Sequence, residues 1–452
     1  MTRPERFLLV SADSHVAAPP ESFRPYIETA YLDRLDELKT ENDRFLGYTG
    51  KLGAFPEEEL DLIDSEGAIR SGGVDENFVL ERRLAEMDRE GIAAELVLVG
   101  AQTATTPFFG ATNRPYPADV RAAGARAYHR WFGDVMTESE GRLIGVANPG
   151  PAHDIEESVR ELRWAAEHGF RSVAVPGIIL DDDLPPLWDE HYDPFWATCA
   201  DLGIVLSVHA GHGHPQGKWF GFLEKIFGAD NENDGREMLQ ALLNTKGGPL
   251  DLDYIPARVT WSLMLGGVFD RYPNLQLALT ECRSDWVPAM LALLDESYRR
   301  GDTPLKKSPS EYWHGNCWAG ASSIKASEVR LRHEIGVDRI MFGRDYPHPE
   351  STWPNTFDWF REAFTGMPID EIRAIVGDNA IRCYGLDRER LQTVADRIGP
   401  SLDDLRLESE VDPRIVDHFA KRAGYRKSYE KIDEDEVSAL FVEDLEATSS
   451  SV

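Results

Sequence analysis

The chain has 452 residues, with 79 Asp and Glu against 48 Lys and Arg and a formal net charge of −31. That acidity repels phosphate backbones and anionic lipid, which excludes nucleic acid and membrane surfaces as main partners. Eleven Trp, twenty Phe and fourteen Tyr within a 42% hydrophobic composition exclude general disorder.

Short apolar runs of strand type recur in chain order: Phe7–Ala12, Ala94–Val99, Leu143–Ala147, Ser172–Val175, Ile204–Val208, Leu275–Thr280, Trp313–Trp318 and Arg339–Phe342. Helical patterns lie between them, among them Glu81–Glu90, Ala118–Glu138, Ile155–His168, Pro194–Leu202 and Trp286–Arg300. Eight βα units predict an α/β fold closed as a distorted (β/α)8 TIM barrel. Two insertions interrupt the repeat, about 17–75 and about 211–258, and long connections of this kind serve as lids or binding loops. Residues 1–386 are expected to form the barrel and 387–452 an acidic, helical C-terminal extension. The FLLV run near the start is too short for a signal-peptide core, and no later run reaches membrane-spanning length, so a cytoplasmic location is expected. Four scattered cysteines fit reduced thiols, and Cys282 reads as a buried, inert one. No strand–GxGxxG–helix or GxxxxGK[ST] pattern supports a dinucleotide or nucleoside triphosphate.

Barrel enzymes place their chemistry at the C-terminal ends of strands. Polar residues stand there: Asp13 and His15, Asn148, His209, Glu281, Asn316, then Asp345 and His348. In SADSHV, Asp13 and His15 sit at i and i+2 and face one side of an extended segment. With His209 from LSVHAG and Asp345 from MFGRDYPHP they form a carboxylate and imidazole set suited to Zn, Mn or Fe, one ion or two. Glu281 enlarges the set as a bridging ligand or a general acid/base.

DxH after the first strand, His after the fifth, RYPNLQLALTE before a WVP helix start, FGRDYPHPESTWP and GDNAIRCYGL together resemble the amidohydrolase-2 group of the amidohydrolase superfamily, which includes aminocarboxymuconate-semialdehyde decarboxylase and aromatic-acid decarboxylases. The resemblance spans roughly Leu8 to Leu386 and implies metal ligation by Asp13, His15, His209 and Asp345. The decarboxylases of the group carry a catalytic His where this chain has Glu281, so hydrolysis ranks above decarboxylation, acting through metal-activated water or metal-bound substrate on an aromatic or terpenoid-like carboxylic acid or ester. The alternative is a non-haem di-iron monooxygenase on the same barrel, hydroxylating an apolar substrate such as a diterpenoid acid derivative.

Around this centre, His212 is a further candidate ligand and His348 a residue that orients one; His214, in the same glycine-spaced loop, reads equally well as solvent-facing. Arg283 is expected to hold a substrate carboxylate, with Glu281 and Asp345 as its catalytic partners, and Arg344 to form an outward ion pair. Trp318, Trp353 and Phe108 are candidate walls of an apolar pocket. The expected partner is a small molecule, and a homodimer is plausible for such a barrel.

Overall fold

Nine strands follow one another in sequence order, every pair parallel. The structure is a computed structural model and describes residues 5–49, 57–100, 106–109, 116–176, 184–209, 258–303, 305–422 and 442. Strands β1 (Leu9–Ser11) and β2 (His15–Val16) make one broken stave, both paired to β3 (Ile92–Val99). Strands β4 (Leu143–Ala147), β5 (Ser172–Ala174), β6 (Val205–His209), β7 (Leu277–Thr280), β8 (Cys317–Ser322) and β9 (Ile340–Gly343) complete the set. Main-chain bonds join the last stave to the first: Ala12 N–H donates to Phe342 O (2.8 Å), Asp345 N–H to Asp13 O (3.0 Å) and His15 N–H to Tyr346 O (2.6 Å). Eight parallel staves with helices outside are the expected (β/α)8 barrel.

Alternation along the strands sorts their side chains. Val10, Leu96, Ile144, Val205, Ala278 and Met341 fill the barrel interior. Leu9, Val97, Leu206, Leu277 and Phe342 face the helices. The interior cluster continues into Ile381 and Tyr384 of helix Asn379–Tyr384 and Leu391 and Ala395 of helix Arg388–Ile398, which pack against the entry end of the staves and close it. Farther on, helix Pro413–Arg422 lays Phe419 edge-on against Trp359, with ring centroids 4.8 Å apart. Among the described residues no helix is long and apolar enough to cross a membrane.

Two expectations are corrected. The seventh stave begins at Cys317 and not at Trp313, because Ser308 and Glu311 form a capping box and Pro309 occupies the first turn, which drives Pro309–Asn316 into a helix. Asn316 therefore ends a helix on the entry side, where its amide donates to Pro273 O (3.0 Å) and Leu275 O (2.7 Å), and does not stand at the catalytic mouth. The first insertion carries helices Leu32–Thr49 and Glu57–Ile63, and Ala17 N–H at its start donates to Asn77 Oδ1 just past its end at 2.7 Å. Most of the second insertion, with His212 and His214, lies outside the described residues.

Candidate metal centre

His15 sits on β2 and His209 closes β6, so both rings reach the C-terminal mouth of the barrel. His15 Nδ1 lies 2.8 Å from Gly100 O, a partner that can only accept, so Nδ1 carries the proton and Nε2 presents a lone pair to the interior. That Nε2 stands 3.1 Å from His209 Nε2, 3.5 Å from Asp13 Oδ1 and 3.4 Å from Asp345 Oδ1. His209 Nε2 is in turn 3.8 Å from Asp13 Oδ1 and 3.1 Å from Glu281 Oε2. All five side chains are buried.

These separations are the test of fit. Ligand atoms bonded at 2.0–2.2 Å to one tetrahedral or octahedral cation lie about 3.0–3.5 Å apart. Of the four residues predicted from sequence, Asp13, His15 and His209 come close to that spacing as one group, Asp345 joins them through His15 in a second group with His348, and the N and O donors suit a divalent metal. Ser322 Oγ donates a short hydrogen bond to Asp13 Oδ2 and leaves Oδ1 toward the centre. Gly343 makes room for the pair, since a Cβ there would stand 2.6 Å from Asp13 Cβ and 2.8 Å from Ser322 Oγ.

Glu281 directly follows β7 and Asp345 stands two residues past the end of β9, and both have left-handed backbones, with φ of 49° and 57°. Non-glycine residues pay for that conformation, and it gathers at functional sites, where the turn aims a side chain that a regular strand would point elsewhere. Burial, with the carboxylates of Asp345, Glu350 and Asp13 around it, raises Glu281 well above the usual carboxylate range. His348 Nδ1 stands 3.0 Å from Asp345 Oδ1, and its ring stacks on His15 with centroids 4.1 Å apart. Burial opposes charge on His348, but Asp345 outweighs it and pushes the imidazole up to about 10. Three overlapping groups could each hold an ion: Asp13, His15 and His209; His15, Asp345 and His348; Glu281, Asp345 and Glu350. Glu350 was not foreseen, although its place five residues after Asp345 in one Pro-rich turn was a usable signal.

Beneath the centre lies a buried ionic layer. Arg83 donates to His15 O (2.7 Å) and Ser14 Oγ (2.8 Å) and pairs with Glu95 at 3.0 Å. Arg344, adjacent to Asp345, pairs with Glu95 and with Glu90 (2.8 Å), and its N–H donates to Ser11 Oγ (2.9 Å). Arg344 thus forms the expected ion pair, directed away from the barrel axis but fully buried. Burial raises Glu95, yet Arg344 and Arg83 outweigh it and hold the carboxyl below the usual range.

The other predicted residues are placed differently. Arg283 is buried and forked onto Asp285, with Nε–Oδ1 at 3.1 Å and Nη2–Oδ2 at 2.6 Å, so its guanidinium faces an internal carboxylate. Trp318 lies at the entry end of β8, donating to Gln276 Oε1 at 2.9 Å beneath Arg339, and does not wall the mouth. Trp353 packs with Ala68 and Tyr346 and donates to Glu86 Oε2 at 2.9 Å, which fastens the first insertion to the loop after β9. Phe108 is fully buried against Tyr116; its neighbour Phe109 lines the cavity beside His209.

Solved structures repeat this architecture. A manganese-containing 5-carboxyvanillate decarboxylase from Novosphingobium aromaticivorans, bound to 4-hydroxy-3-methoxy-5-nitrobenzoic acid, is 21% identical with a TM-score of 0.58, covering 85% of this chain and 100% of the other. A dihydroxybenzoic acid decarboxylase from a Polaromonas species, with manganese and 2-nitroresorcinol, is 19% identical with a TM-score of 0.53, over 85% and 98% of the two chains. A 2,6-dihydroxybenzoate decarboxylase from Rhizobium is 19% identical with a TM-score of 0.54, over 84% and 99%. At such identities the likeness is one of fold. No curated protein sequence matches significantly. The family profile described as Amidohydrolase matches residues 12–386, from the DxH turn to the end of helix Asn379–Tyr384 and just beyond, and the chain is accordingly an enzyme of the amidohydrolase family.

Proposed function

We propose that this chain is a divalent-metal-dependent decarboxylase of an aromatic carboxylic acid. The observation that carries the reading is the buried donor group Asp13, His15 and His209, with Asp345 beside His15, at the mouth of a barrel similar to decarboxylases of hydroxylated benzoic acids. A divalent cation held there supplies Lewis-acid polarisation of substrate oxygens.

Hydrolysis ranked first in sequence because a carboxylate at position 281 is a poor proton donor at neutral pH. Burial changes that, since it keeps a proton on Glu281, while a nearby dication offsets part of the rise and moves the group toward a working range. In decarboxylation the C–C bond to the carboxyl breaks, CO2 leaves, and Glu281 delivers its proton to the ring carbon. His15, whose Nδ1 carries the proton, and His209 would hold the cation through Nε2. The test is anaerobic incubation of manganese-loaded protein with hydroxybenzoic acids, reading CO2 release. Glu281→Gln is expected to slow release by about 10²–10⁴-fold; ester cleavage without CO2 would instead restore the hydrolase reading.

A second reading is favoured by one observation: Asp345 belongs both to the His15 and His348 group and to the Glu281 and Glu350 group, as a carboxylate shared by two ions would. It corresponds to a di-iron monooxygenase and predicts two equivalents of iron per chain with O2 consumption, against one equivalent and no O2 requirement for the decarboxylase.

A further inference from the structure

Among the described residues β8 supplies none of the grouped metal-ligand candidates, yet it lies between β7 and β9, whose following turns carry Glu281 and Asp345. The loop after β8 is held on several sides. Ser323 N–H donates to Gly343 O at 3.0 Å, and Trp359 Nε1–H donates to Ile324 O at 2.7 Å. The chain then enters the short helix Ala326–Arg330, in which Glu328 has no exposed surface. A carboxylate so buried needs its lone pairs engaged. Glu328 Oε1 accepts both the backbone N–H (2.8 Å) and the hydroxyl (2.9 Å) of Ser284, and Oε2 accepts Lys325 N–H at 3.0 Å.

Ser284 stands three residues past Glu281, in the turn between β7 and the helix Val287–Arg300. That turn has to keep Glu281 in the left-handed region, which an L residue leaves unless its flanks are fixed. One flank is fixed by Glu281 N–H, which donates to Gly320 O on β8 at 3.1 Å. The other is fixed by Glu328, because Ser284 is buried and both its donors share that one acceptor oxygen. Charged acceptors make the stronger hydrogen bonds, and removing this one would leave two buried donors unsatisfied.

We infer that Glu328 is a positioning residue for Glu281: through Ser284 it holds the turn that aims the Glu281 carboxyl at the metal centre. The kinetic consequence rests on the proton-delivery reading above, and the structural one does not.

Two measurements on the full chain test this. In manganese-loaded protein, Glu328→Ala is expected to lower kcat for CO2 release about 10–100-fold, while KM and manganese affinity stay within about twofold. In a Glu281→Gln background the same substitution should cost less than about threefold, because the group it positions is already gone. Glu328→Gln, whose amide oxygen still accepts from Ser284, should recover most of the rate. An unchanged kcat, an equal fall in both backgrounds, or a Gln variant as slow as the Ala variant overturns the inference. The second measurement, hydrogen exchange read by mass spectrometry, needs no substrate: Glu328→Ala should speed exchange at 281–286 about tenfold or more and leave β4 to β6 at native rates. Unchanged exchange there, or acceleration spread over the barrel, overturns the inference. If the native chain releases no CO2 from any acid offered, the decarboxylase reading falls, and exchange alone decides for or against Glu328. Should Glu328→Ala fail to fold, Ser284→Ala removes the hydroxyl bond alone and carries both comparisons, with an expected kcat loss of about fivefold.

Discussion

Asp13 owes its direction to two neighbours that make no contact with an ion. Ser322 holds one carboxylate oxygen, and Gly343 leaves the space the side chain occupies. Removing an outer partner of a ligand commonly weakens metal binding by about 10–100-fold. Ser322→Ala is therefore expected to lower manganese affinity by that factor without unfolding the chain, as read by competition with a fluorescent chelator; unchanged affinity would show that Asp13 is no ligand. At this scale the sequence is legible where candidate ligands end apolar runs, as Asp13, His15, His209 and Asp345 do. It is not legible for Ser322 and Arg83, which meet the candidate ligands only through the fold, nor for Trp318 and Trp353, because an aromatic ring near a strand carries no mark of which end of the barrel it faces.

Among elements, β1, β2, β3, β9 and the helix Leu80–Arg89 meet at a single carboxylate, Glu95, shared by Arg83 and Arg344. Such a layer contributes little net stability while complete, but deleting one member strands its partners' charge at a cost of about 3–5 kcal/mol. Glu95→Ala is expected to destabilise the chain by that amount in urea denaturation. A loss below about 1 kcal/mol would show that water reaches the two guanidinium groups. The Glu95–Arg344 pair could not be read from sequence, since the two residues are 249 positions apart. The strand and helix alternation was legible because period 2 and period 3.6 are local. The seventh stave slipped by four residues because tryptophans at 313 and 318 bracket the short run, while the Ser308 capping box decides for a helix.

For the molecule as a whole, the charge gathered at one mouth sets its response to pH. His348 is pushed up to about 10 in the metal-free fold, above its unfolded value of about 6.5, so its contribution is complete below about pH 6.5 and is lost as pH rises toward 10. Glu281 is raised also, and a carboxyl that holds its proton more tightly when folded likewise loses stability as pH rises. Metal-free protein should thus melt progressively lower between about pH 5.5 and 8.5, while bound manganese, which neutralises the same carboxylates, stabilises more at the higher pH. Equal manganese-induced shifts in melting temperature at the two pH values would contradict this account of the site.

The left-handed backbones of Glu281 and Asp345 give that balance a further meaning. Glycine at either position would relieve a conformational cost of about 1–2 kcal/mol and add about 0.5–1 kcal/mol of unfolded-chain freedom, so the backbone effects nearly cancel. At Asp345 the substitution would also remove the partner of His348, whereas at Glu281 what remains is chiefly the mutual repulsion of buried carboxylates. Glu281→Gly is therefore expected to raise the melting temperature of the metal-free chain; a lower melting temperature would mean that Glu281 braces the fold. On this reading the barrel would be a sturdier object if it did nothing, and a descendant released from selection for catalysis would drift toward silence before it drifted toward unfolding.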